Sequence, residues 1–165
     1  MKAVDYIKAE MAMSQAWIMG LFSDIMDAPL TVPTPKGGNH PWWIIGHMVY
    51  SEANILNCYI RGGEHPFAEW KEMFAIGSQP LADGAGYPPI EDLLEKFEGV
   101  RADTLAYLDS ITDADLDNPS HAPEAAAPFF GTVGQCLSIM SMHLAFHGGQ
   151  IADARRAAGR GVLTA

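Results

Sequence analysis

From Val4 onward apolar residues recur at heptad spacing, through Ile7, Met11, Ser14, Ile18, Leu21, Ile25 and Ala28, with only Ser14 polar and Pro29 closing the run. A seam of that kind is the buried face of a long bundle-type helix. A second apolar stretch, Trp42, Trp43, Ile44, Ile45, His47, Met48, Ile55 and Leu56, lies between Pro41, which suits a first helical turn, and the Gly62-Gly63 stop. A third stripe begins near Pro89 with Ile90, Leu93, Leu94, Phe97, Val100, Leu105, Leu108 and Ile111, and carries Glu91, Asp92 and Glu95 toward its positive end. The fourth starts at Thr132, where Thr-Val-Gly-Gln reads as a capping box. It continues through Val133, Leu137, Met140, Leu144, Ile151 and Ala154, and ends at Gly159 with Arg155 and Arg156 in its last turn.

No segment alternates with period two, so the pattern predicts an all-α four-helix bundle in one domain spanning residues 1–165. The connections are unequal, and the Gly- and Pro-rich stretch from Gly62 to Pro88 is long enough to be functional or to hold small elements of its own. Residues 66–74 read as a short helix over one end of the bundle, and residues 123–128 as a mobile loop. Tyr6 and Trp17 fall outside the first seam, and this surplus apolar surface predicts a homodimer.

Composition narrows the partners. The chain is 48% hydrophobic and 18% charged, which is the balance of a folding domain. Its formal charge of -10 opposes binding to a phosphate backbone, so no nucleic-acid role is expected. Cys58 and Cys136 are too few and too far apart for a disulfide framework, and both read as small core residues. No apolar run is long enough for a bilayer, and the N-terminal stretch carries Asp5, Lys8 and Glu10 inside an amphipathic pattern. Cytoplasmic localisation with no membrane partner is the expectation.

Candidate chemistry centres on histidine. His143 and His147 stand at i and i+4 on the fourth helix, a spacing that lets two imidazoles reach one metal ion. The alternative is one buried and one exposed histidine with ordinary hydrogen bonds. His47, on an apolar helix and on the face that also holds Tyr50 and Asn54, needs partners that two further imidazoles would supply through a shared cation. Three histidines suit zinc, with nickel and iron as alternatives, and leave a fourth position for water or substrate. Gln150 shares that face and is either a hydrogen-bond partner of a ligand imidazole or a solvent-bridging residue. His40 reads as a helix-start or pocket-rim residue, while His65 and His121 fall in loops. Leu144 follows His143, so the glutamate of a zinc peptidase HExxH is missing. No Glu-x-x-His pair supports a di-iron bundle, and no phosphate loop, nucleophile elbow or dinucleotide fingerprint is present.

The segments HPWWIIGHMVYSE (40–52) and MHLAFHGGQIADARR (142–156) together resemble the DinB-like superfamily of metal-binding four-helix bundles. The resemblance implies an up-down-down-up topology with a long crossover between the second and third helices. It also implies a metal triad of His47, His143 and His147. Related branches carry out metal-dependent transfers that use a low-molecular-weight thiol such as bacillithiol or mycothiol, or isomerise maleylpyruvate. A thiol-dependent transferase acting on a small molecule, with the 62–88 segment covering its pocket, is therefore the first expectation. A hydrolase using His40 or Glu52 as base, and a non-catalytic sensor or interaction module braced by the metal, are the alternatives.

Overall fold

A computed structural model describes residues 1–32, 38–161 and 163. The four long elements are α1 (Ala3–Ser23), α2 (Pro41–Ala53), α4 (Ile90–Ser110) and α6 (Val133–Ala157), and two single-turn helices, α3 (Lys71–Phe74) and α5 (Ala127–Phe130), lie in the connections. No strand occurs among the described residues; one isolated bridge joins Pro119 to Thr132. No helix there is long and apolar enough to cross a membrane.

Side-chain pairing gives the direction of each helix. The start of α1 (Val4, Ile7) packs in one cluster with the start of α6 (Val133, Leu137), and their far ends are tied by Arg155 and Asp24, so α1 and α6 run parallel. Trp42 near the start of α2 donates its indole N–H to the Pro88 carbonyl just before α4, and Arg101 further along pairs with Glu52, so α2 and α4 are parallel too. Val4, Ile7 and Met11 meet Ile55, Leu56 and Ile60, while Ile18 and Leu21 meet the early α2 residues Ile44 and Ile45. The order is up-down-down-up, and the stretch after Gly62 is the crossover that two parallel neighbours require.

The α6 capping box is present: Thr132 Oγ1 accepts from Gln135 N and Gln135 Oε1 accepts from Thr132 N. Pro41 occupies the first turn of α2, where the imidazole of His40 accepts the Trp43 N–H as cap.

Four local expectations are corrected. The first helix ends at Ser23 rather than running to Ala28; the chain tightens into turns with bonds from Ile25 N to Phe22 O and Ala28 N to Ile25 O, which still bury Ile25. The second helix continues beyond Ala53 as a π-helix, Asn54–Ile60, visible in the Arg61 N to Leu56 O bond; the Asn57 carboxamide takes the Ala53 carbonyl at 3.1 Å. On α4 the buried stripe is Ile90, Leu93, Phe97, Arg101, Thr104 and Leu108, so a charged and a polar residue occupy core positions while Leu94, Val100 and Leu105 are only half-buried. Residues 123–128 carry a 3₁₀ turn, Glu124–Ala126, leading into α5, instead of an open loop. The short helix expected in residues 66–74 is present as a 3₁₀ turn, Ala68–Trp70, followed by α3. Tyr6 and Trp17 are exposed, and Met13 joins them on the same stripe of α1.

Candidate metal centre

α2 and α6 face each other across the core at His47, His143 and His147, and one ring nitrogen from each lies within 4.8 Å of the other two. His47 and His147 are buried and His143 is half-buried. His47 Nε2 is 3.1 Å from His143 Nε2, which is 2.9 Å from His147 Nε2. The three imidazoles thus converge through the same ring atom.

Hydrogen bonds on the opposite ring edges fix the tautomers. His47 Nδ1 lies 2.7 Å from the Phe74 carbonyl, and a carbonyl only accepts, so Nδ1 carries the proton and Nε2 a lone pair. His147 Nδ1 donates in the same way to Gln150 Oε1 at 2.8 Å. Two lone pairs then point at His143 Nε2, which has at most one proton to share between them. A cation satisfies all three at once, and nitrogen donors of this softness are those of zinc and its neighbours. The residues present therefore fit a divalent metal, and Gln150 is the orienting partner of His147. Among the described residues no fourth His, Cys, Asp or Glu joins the group.

Electrostatics keep the three imidazoles neutral. Burial lowers His143 to about 3, with the nearby His147 and His47 adding to the effect. Burial likewise lowers His147 to about 4, the His47 charge contributing and Gln150 opposing. His47 is lowered by burial against the pull of the Phe74 carbonyl. Neutral imidazole is the form that binds metal.

The surrounding residues hold His47 in place. The indole of Trp43 stacks on it at 4.5 Å and 11° and is itself anchored by an N–H bond to the Met73 carbonyl. Phe74 packs against Gly46, where an added Cβ would sit 2.3 Å from the phenyl ring, and that ring is fully buried. Gly46→Ala is therefore expected to push Phe74, and with it the carbonyl that orients His47, at a cost of about 1–3 kcal/mol. Gly99 on α4 has open space around it, and Gly99→Ala should instead stabilise by up to about 1 kcal/mol. Urea unfolding of both variants checks the pair; equal shifts would show that Gly46 has no packing role.

A cavity of about 430 Å³ opens onto His47 and His143. Tyr50 and Asn54 line it as their shared face with His47 suggested, and the crossover contributes Ala75 and Ile76, so the 62–88 segment covers only part of it. Sequence reasoning missed the remaining wall, which includes Tyr59 from the π-helix and Ala126 and Phe130 from the third connection. A larger depression of about 560 Å³ near Trp42 and Tyr87 contains none of the three histidines.

The other histidines and the candidate bases are committed elsewhere. His40 caps α2 through Nδ1, and its Nε2 bonds the Leu81 carbonyl at 2.9 Å. His65 accepts from Phe67 N and bonds the Tyr50 carbonyl while stacking on the Tyr50 ring, and His121 is exposed. Glu52 is only 2% exposed, bonded to Arg101 and Thr104, and does not line the cavity. Cys136 is buried and Cys58 half-buried, and neither lines the cavity. Burial pushes the Cys136 thiol up to about 11.

A family model described as the DinB superfamily matches residues 11–151, a span that includes every residue of the histidine cluster. No curated protein matches the chain.

Proposed function

The chain belongs to the DinB superfamily, and from that premise we propose that it is a metal-dependent enzyme acting on a small molecule, a thiol-dependent transferase with zinc held by His47, His143 and His147. The observation that carries the reading is the juxtaposition of three convergent neutral imidazoles with a cavity that opens on two of them. When bound, a divalent cation supplies Lewis acidity that lowers the pKa of a thiol brought to it.

The chain's own residues do the remaining work. Trp43 and the Phe74 carbonyl fix the His47 ring, and Gln150 fixes His147. His143 borders the cavity, so the reacting group enters from that side. The transfer forms a bond from the thiol sulfur to an electrophilic carbon and breaks the bond from that carbon to its leaving group, which departs with its electron pair and takes up the thiol's proton. Such a reaction needs no separate protein base. A hydrolase working through a protein base would find none in the two candidates: Glu52 is locked to Arg101, and His40 has both ring nitrogens occupied. A metal serving only as a brace would call for a fourth protein ligand, and the cluster offers three among the described residues.

The test uses elemental analysis and spectroscopy together. Zinc-loaded protein should hold about one equivalent per chain and His143→Ala close to none; unchanged stoichiometry would refute the triad. Cobalt-substituted protein should change its visible spectrum on addition of cysteine, bacillithiol or mycothiol. A spectrum indifferent to all three, in a protein that turns over an ester or amide, overturns the transferase reading in favour of a hydrolase.

A further inference from the structure

The cavity beside His143 has a wall with no charged side chain. Ile55, Phe130 and Ile139 supply apolar surface, and the polar atoms come from neutral groups, chiefly Ser51, Asn54 and Tyr59. At about 430 Å³ it falls within the roughly 300–1,000 Å³ of small-molecule sites.

The π-helix shapes this wall. Residues five apart on a regular α-helix point about 140° away from one another, so Asn54 and Tyr59 would face different surroundings. The wider i to i+5 turn of Asn54–Ile60 brings such residues close to one line, and both border the cavity with Ile55 between them. The distortion begins one turn beyond Ser51, whose hydroxyl is 3.4 Å from His47 Nε2. Among the described residues the Asn54 carboxamide makes no hydrogen bond, and it is half-buried on an otherwise apolar wall.

Charge argues in the same direction. Apart from a cation at the histidines, which would attract an anion only at that end, a carboxylate, phosphate or sulfonate entering here meets no Lys or Arg side chain on the wall, within a chain whose net charge is -10. We propose that the cavity binds the uncharged, apolar portion of the substrate, an aromatic ring or branched aliphatic group, and that the π-helix wall of Asn54, Ile55 and Tyr59 determines this specificity. The inference rests on the proposed chemistry at His47 and His143, and it identifies the class of molecule brought to them.

Two fluorescent probes with the same ring system isolate the charge requirement: neutral N-phenyl-1-naphthylamine and its sulfonate, 1-anilinonaphthalene-8-sulfonate. The purified full chain should bind the neutral probe at one site per chain and at least tenfold more tightly than the sulfonate. Ile139→Trp, which fills the cavity, should weaken the neutral probe at least fivefold. Ile76 is 94% exposed at the mouth, so Ile76→Arg tests the charge without burdening the core, and it should narrow the ratio between probes at least threefold. Equal affinities in the wild-type protein would overturn the proposal, as would full neutral-probe binding by Ile139→Trp. An unchanged probe ratio in Ile76→Arg, which stays folded, counts against it as well. Zinc content measured on the same samples separates the two claims. Metal retained without probe selectivity defeats the specificity assignment alone, and probe selectivity without metal defeats the metal reading alone.

Discussion

Glu52→Ala is expected to destabilise the protein by about 3–5 kcal/mol, and Arg101→Ala by less. Glu52 and Arg101 are 2% and 1% exposed, their ion pair is 2.8 Å long, and Thr104 Oγ1 donates to the other carboxylate oxygen at 2.9 Å. Burial raises the Glu52 carboxyl, while the Arg101 guanidinium and the Thr104 hydroxyl pull it down. The asymmetry follows from what each partner does when stranded. A stranded carboxyl takes up a proton and becomes neutral, whereas a guanidinium stays charged. Arg101 also has Nε and Nη1 buried without a protein partner, so losing Glu52 leaves every one of its nitrogens unpaired. Urea unfolding of both variants and of Glu52→Leu/Arg101→Met measures the effect. The apolar double variant should recover most of the loss, because a well-packed pair of similar volume avoids desolvating two charges. If Arg101→Ala proves the more damaging, the account of the pair is wrong.

Metal-free protein should lose stability from pH 6.5 down to about 4 for His147 and about 3 for His143, on the order of 2 kcal/mol for each by pH 5. The folded state holds them at about 3 and about 4, so it keeps both neutral while the unfolded chain takes up protons near 6.5. Lowered folded values mean that their contribution is fully present above 6.5 and disappears as the pH falls. Carboxylates behave separately: hydrogen bonds pull Asp103, Asp113 and Asp115 below their ordinary range, and what they contribute is lost at lower pH. Chelator-treated protein unfolded in urea at pH 7 and pH 5 tests this, with His143→Asn/His147→Asn as the comparison. The double variant should lose clearly less over that pH change, keeping only what His47, His40 and His65, which burial also lowers, contribute; a drop as large as in the wild-type protein would place the acid sensitivity elsewhere.

The four helices were legible because each carries its own periodic stripe, and the seam from Val4 to Ile25 is buried throughout. The histidine cluster was legible in part, since two members share a helix face while the third is tied to them only through the fold. The Glu52–Arg101 pair left a readable trace: Arg101 and Thr104 stand at helical spacing between Phe97 and Leu108, on the buried side of α4. That trace is easily overlooked because Val100 and Leu105 offer a more apolar stripe beside it. The π-helix had no comparable signal, since one extra residue in a turn leaves local composition unchanged. The Phe74 carbonyl had none at all. Every residue owns a backbone acceptor, and only the path of the crossover decides which one meets His47.

That carbonyl joins two parts of the molecule thermodynamically. It belongs to α3, a single turn in the crossover, and it is bonded to one of the three candidate ligands. Any equilibrium that loosens α3 must weaken metal binding, and by reciprocity metal binding must oppose that loosening to the same degree. Amide hydrogen exchange across residues 71–78 should therefore slow when zinc is added, although none of these residues is itself a ligand. The crossover is then a reporter of site occupancy, and a molecule that settles against its outer face would adjust metal affinity without touching an imidazole.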